Sequence, residues 1–223
     1  MTSEVPNSLL IPADRYHVFR KDRDGRAGGV CLLFKINPKL NISLVCVPSE
    51  YASLELTAVD LNDSVSMPYR LALAYRPPAY SRTDNELLLS ALNYLANGSA
   101  RFCLLGDLNL PDFNWDFYVY PDSELYNSFS DFVSNYGLSQ LVDQPTRGDN
   151  ILDCVLCSDV LCCDNFSYLP PLANSDHCIV SFNLAISLSV TSVADEQLES
   201  IVGQISERLI GRIFGIFSLL LIG

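Results

Sequence analysis

The chain has 223 residues, 49% of them hydrophobic, and a formal net charge of −12. That length and apolar fraction fit one α/β domain with a sizeable core. The acidity excludes a protein that holds nucleic acid through bulk positive charge, although a bound divalent cation would offset it locally.

Residues 1–7 lack the basic start and apolar core of a secretory leader, so an intracellular location, nucleus or cytoplasm, is expected. Residues 16–20 read as a strand, the basic stretch 21–26 as a turn, and 30–35, after Gly28 and Gly29, as the second arm of a hairpin. Residues 54–59 alternate and form the next strand. Another follows over 69–75 and stops at Arg76-Pro77-Pro78. A helix begins near Thr83, where Thr83 and Glu86 match a capping box. Leu88, Leu92 and Leu95 form its stripe and Gly98 ends it. Cys103, Leu104 and Leu105 then make a buried strand that runs to Asp107. A second helix covers 123–136, with Leu125, Phe129, Phe132, Val133 and Tyr136 on one face and Gly137 as terminator. Strands at 151–157 and 178–184 follow. Strands outnumber helices, and the helices are amphipathic covers, which predicts a layered α/β architecture.

The composition shifts after about residue 187, where a polar segment, 189–199, leads into an apolar tail. The division expected is a domain over 1–187 and a linker with an apolar C-terminal helix over 188–223. The uncharged part, 213–223, is shorter than the roughly 20 residues of a membrane span. It reads as an interfacial amphipathic helix or as a helix docked on the core.

Of the eight cysteines, Cys31, Cys46, Cys103, Cys154, Cys157 and Cys178 lie in apolar strand-like runs, where they act as small buried hydrophobes. Cys154 and Cys157 have zinc-like spacing, and Cys162-Cys163 follows. The pair nonetheless sits inside a strand, without the Gly-containing turn of a zinc knuckle. Free thiols in a reducing compartment are the expectation.

The chemistry concentrates at strand ends. Gly106-Asp107-Leu108-Asn109-Leu110-Pro111 places a carboxylate and an amide two residues apart. In an extended backbone both point to one face and could hold and deprotonate a water; the same residues are also ordinary turn formers. Asp176 and His177 precede the last strand. Histidine can hold a phosphoryl oxygen, and aspartate a hard metal. Asp153 interrupts an apolar strand, where a lone carboxylate needs a partner, and His177 is the candidate.

These residues, in this order, resemble the endonuclease/exonuclease/phosphatase superfamily, and in particular the endonuclease domain of non-LTR retrotransposons. The supporting segments are residues 19–23, Gly28-Gly29-Val30, Tyr75-Arg76-Pro77-Pro78, 106–111 with Trp115, Leu152-Asp153 and Ser175-Asp176-His177. The resemblance implies a DNase I-like fold, a two-sheet β-sandwich flanked by helices in four α/β/β/α layers. It also implies a Mg2+- or Mn2+-dependent phosphodiesterase whose retroelement branch nicks DNA. Carried over by position, Asp107 would activate water and Asn109 would orient it. His177 would stabilise phosphoryl charge while Asp153 holds its ring. Asp176 would bind the metal and Tyr75 would donate to the scissile phosphate. Arg76, Thr146 and Ser175 would lie against the substrate.

Family members open with a strand bearing an Asn and a second strand ending in a metal-binding Glu. Residues 1–8 resemble the segment after that Glu, and Glu4 belongs to the following loop. The resemblance therefore implies a domain lacking its first strands, with impaired activity. An inactive retroelement-derived fragment or binding module, and a phosphatase on the same fold, stay open as alternatives.

Overall fold

The computed structural model describes residues 15–23, 29–38, 40–62, 67–172 and 175–186. The expected polar linker and apolar tail, and Glu4, lie outside the described residues.

In chain order the elements are β1 (Tyr16–Asp22), β2 (Gly29–Lys35), β3 (Asn41–Leu44), β4 (Glu55–Asn62), β5 (Tyr69–Tyr75), α1 (Arg82–Asn97), β6 (Arg101–Asp107), α2 (Glu124–Asn135), β7 (Ser139–Gln140), β8 (Asp153–Cys157), β9 (Cys163–Leu169) and β10 (Ile179–Leu184). Six strands form one mixed sheet in the order β3-β4-β5-β6-β8-β7. Only β5 and β6 run parallel; α1 makes the crossover that a parallel neighbour requires. β1–β2 and β9–β10 are separate antiparallel hairpins.

Period-2 alternation gives the sheet two apolar faces. On one side Leu56, Ala58, Ala72, Ala74, Leu104 and Leu156 pack with Leu88, Leu92 and Leu95 of α1 and Phe129 and Phe132 of α2. On the other side Val59, Leu71, Leu73, Leu105 and Val155 pack with Leu32 and Phe34 of β2 and Val180, Phe182 and Leu184 of β10. The described layers are thus helices, central sheet and a second β layer, the α/β sandwich with flanking helices expected from the sequence. Among the described residues the helical cover lies on one side of the sandwich.

Several boundaries differ from the sequence reading. The capping box of α1 sits two residues earlier: Asp84 N–H donates to Ser81 Oγ (3.2 Å) and Ser81 N–H to Asp84 Oδ2 (3.0 Å). The device is the same one, since a serine and an acid three residues on satisfy each other's backbone donors. In α2 the buried face includes Tyr126, whose hydroxyl donates to Asp112 Oδ2 (3.1 Å) and so ties down the loop after β6. Gly137, expected as its terminator, takes φ +59 just beyond the helix. Cys46, expected in a buried run, is exposed.

Candidate active site

The register aligns four residues across the sheet. Glu55 pairs with Tyr75, Tyr75 with Asp107, and Asp107 with Asp153. Residues directly opposite share a face, so these four form a polar row at one end of the face turned to the hairpins. Gly106 permits the close approach behind Asp107. It has φ +149, and a Cβ there would stand 1.8 Å from the Ala74 carbonyl oxygen on β5.

Asp107 and Asp153 are 8% and 4% exposed. Burial, and then the neighbouring Asp153, push the Asp107 carboxyl up to about 6. His177 lies just before β10. Its Nδ1 is 2.7 Å from Asp153 Oδ2 and its Nε2 is 4.0 Å from Asp107 Oδ2. The hydrogen bond to Asp153 is the main reason that the imidazole titrates above its ordinary range. An ionised Asp153 accepts, so Nδ1 carries the proton and Nε2 is left facing the Asp107 side.

Two small side chains set this geometry. Thr146, 2% exposed, accepts from the backbone N–H of both Leu152 and Asp153 at 3.1 Å. Its carbonyl accepts from Cys178 N–H at 2.8 Å, which joins the start of β8 to the turn that carries His177. Ser175 Oγ accepts from His177 N–H at 3.1 Å. Both residues, expected against the substrate, are braces for Asp153 and His177.

The structure relocates three further expectations. The strand ends at Asp107, so Asn109 does not continue it. Asn109 takes φ 47, donates its N–H to Asp107 Oδ1 (3.0 Å) and its side-chain amide to the Arg76 carbonyl (2.9 Å). Asparagine tolerates that left-handed backbone, and the tip is an Asx-type turn. Arg76 is 3% exposed and points inward, donating to Asn85 Oδ1 (2.7 Å) and to the Leu108 and Asn109 carbonyls (3.2 and 2.9 Å). It clamps the tip from behind. Asp176 is exposed and turned away from the cluster, accepting from Arg147 Nε at 2.7 Å.

Glu55 and Arg23 are the residues that sequence reading missed. Glu55 is 5% exposed; Oε1 accepts from Arg23 Nε (2.6 Å), while Oε2 is buried without a partner among the described residues. The Arg23 guanidinium also lies 5.3 Å from the centroid of half-buried Tyr75. The available signal was an acid opening an apolar strand, the same signal that marked Asp153.

Asp107, Asp153 and His177 each offer a ligand atom within 4.8 Å of the others. Two carboxylates and an imidazole suit a divalent cation, which would also relieve the crowding that raises Asp107. A cleft of about 570 Å³ is lined by Arg76, Asn109, Tyr126, Arg147, Asn150 and Leu152; the three clustered residues do not line it, and it adjoins them through Asn109 and Leu152, neighbours in sequence of Asp107 and Asp153.

A family model described as endonuclease-reverse transcriptase matches residues 69–181, a little over half of the chain. No curated protein matches. Solved structures that resemble this one include a humanised D. rerio TDP2 carrying 14 mutations, at 13% identity over 77% of each chain with a TM-score of 0.46. Another is an endonuclease/exonuclease/phosphatase family protein from Bacteroides thetaiotaomicron, at 10% identity over 74% of each chain with a TM-score of 0.44. A third is the inositol polyphosphate 5-phosphatase domain of SPsynaptojanin, with inositol (1,4)-bisphosphate and calcium. It shares 12% identity over 86% of this chain and 69% of that one, with a TM-score of 0.45.

Proposed function

The chain belongs to the endonuclease-reverse transcriptase family, and on that footing we propose that it is a divalent-metal-dependent phosphodiester hydrolase of retroelement origin that nicks DNA. The observation that carries this reading is the buried cluster of Asp107, Asp153 and His177. The carboxylate oxygens of Asp107 and Asp153 would hold the cation, and such hard donors favour Mg2+ or Mn2+, which leaves His177 to act on the phosphate. When bound, the cation supplies Lewis-acid polarisation of a phosphoryl oxygen.

The side chains divide the remaining work. Asp107, whose carboxyl titrates at about 6 without the cation, would take a proton from an attacking water. Asp153 fixes the His177 ring through Nδ1 and keeps it readily protonated. Nε2 is then placed to donate to a phosphoryl oxygen as charge develops there. The Asn109 N–H holds one Asp107 oxygen and so aims the other. Tyr75, next to Asp107 in the row, would donate to the scissile phosphate. Arg147, on the wall of the cleft, is paired with Asp176 and would meet a substrate phosphate on leaving that carboxylate. All eight thiols are free, in keeping with a protein that works inside the cell.

One observation favours an inactive copy as the second reading. Arg147 engages the Asp176 carboxylate, so this expected metal ligand stands outside the cluster. Supercoiled plasmid incubated with pure protein separates the two. The hydrolase nicks it with Mg2+ or Mn2+, and nicking disappears with chelator and in His177→Ala and Asp107→Ala. Nicking that survives both substitutions would come from a contaminant and remove the assignment. A folded wild-type protein that never nicks would favour the inactive copy.

A further inference from the structure

Glu55 is a costly residue for its place. It opens β4 beside buried Leu54 and Leu56, and its own side chain is 6% exposed. A buried ion pair is a poor source of stability, because desolvating the charges offsets their attraction. What the Glu55–Arg23 pair supplies is a fixed geometry at one end of the polar row.

Arg23 follows β1 directly, and the β1–β2 hairpin lies over β4 and β5. Its Nε (2.6 Å) and Nη2 (2.5 Å) both approach the same oxygen, Glu55 Oε1. One edge of the planar fork is thereby held, which a compact ammonium could not reproduce. So anchored, the guanidinium carbon stands 5.3 Å from the centroid of the Tyr75 ring, within cation–π range. Burial works against the charge, yet Glu55 and then Tyr75 hold the guanidinium above its ordinary range. Arg23 thus joins the first two positions of the row, while Asp107 flanks Tyr75 on the other side. The orientation of the phenol decides whether its hydroxyl stays beside the catalytic carboxylates.

We propose that Glu55 and Arg23 are positioning residues for Tyr75. The buried carboxylate fixes the guanidinium, and the guanidinium fixes the phenol that meets the substrate phosphate. The role of Tyr75 rests on the hydrolase reading, whereas the linkage from Glu55 through Arg23 to its ring does not.

NMR of the metal-free full chain with 13C-labelled tyrosine tests the linkage without turnover, with the fold checked by circular dichroism. The Tyr75 ring signals are those lost in Tyr75→Phe. Arg23→Ala and Glu55→Gln should each shift them. Glu55→Gln should shift them no further once Arg23→Ala is present, because Glu55 acts through Arg23. Arg23→Ala leaves a buried carboxylate unpaired, so Arg23→Lys serves if that variant does not fold. The lysine keeps the charge but not the fork and should also shift the ring signals. Folded variants at Arg23 that leave the Tyr75 signals in place overturn the proposal. So does a Glu55→Gln shift of equal size with and without Arg23.

Plasmid nicking with Mg2+ supplies the second readout. Arg23→Ala and Glu55→Gln should each lower kcat about tenfold with KM little changed, the pattern of an interaction made in the transition state. In a Tyr75→Phe background neither should cost more than about twofold further. A full additional loss in that background overturns the proposal, since it would show action that bypasses Tyr75. If folded wild-type protein never nicks, the hydrolase reading fails while the ring signals still decide the linkage.

Discussion

Replacing Asp107 by Asn should stabilise the metal-free protein at neutral pH. Asp107 titrates at about 6 in the fold against an ordinary 3.8. At 1.36 kcal/mol per pH unit the gap corresponds to ~3 kcal/mol. The sign follows from proton binding. Between these two values the folded state holds the Asp107 proton more tightly than the unfolded state does, so stability falls as pH rises. The carboxyl therefore contributes nothing adverse below about 3.8 and its full cost above about 6. Asparagine keeps an oxygen to accept the Asn109 N–H and cannot ionise. Urea unfolding can be followed through Trp115, the single tryptophan, which is buried and stacked 4.1 Å from Phe113. Asp107→Asn should be ~3 kcal/mol more stable than wild type at pH 7.5, and the difference should vanish near pH 4. A variant that is less stable than wild type at pH 7.5, or a difference independent of pH, would refute the account of a crowded, desolvated carboxylate.

Two further perturbations address the supports of the site. Asp153→Asn removes the main cause of the raised His177 titration, so the imidazole should titrate lower. Ring-proton NMR reads this directly, because the chain has only one other histidine, His17. In wild type, stability from the His177–Asp153 bond is complete below about 6.5 and fades as pH rises through the higher folded value; Asp153→Asn should abolish that dependence. Thr146→Val strips the acceptor from two buried N–H groups, those of Leu152 and Asp153. At about 1–3 kcal/mol per unsatisfied group, the loss in urea unfolding should be ~2–6 kcal/mol, with faster amide exchange at both residues.

Periodicity made much of this architecture legible. The alternation in β4 and the apolar run in β6 announce buried strands with defined faces. A lone carboxylate in an apolar strand announces a partner, and the structure sets His177 beside Asp153. Period-2 patterning gives faces but not neighbours. Glu55 and Asp107 belong to one row only because β5 pairs with both β4 and β6, a fact of register between distant segments. The spacing of Asp107 and Asn109 fits both an extended strand and an Asx turn, and the choice rests on the Arg76 clamp behind it. An arginine beside a strand end reads as a surface contact. Its inward turn depends on Asn85, which helix α1 brings into place. β9 alternates weakly, with exposed Asp164 and Asn165 together, and left no periodic trace to follow.

For the proposed hydrolase, the polar row through Glu55, Tyr75, Asp107 and Asp153 makes turnover a readout of strand threading. A slip of one residue in β6 or β8 would swing its carboxylate into the helix-side core and put an apolar side chain in the row. No single strand can compensate for another's error, because each contributes one position. In a refolded sample, the fraction of molecules competent for hydrolysis therefore counts those whose strands have all found their alignment, and a molecule that is compact but misaligned stays silent.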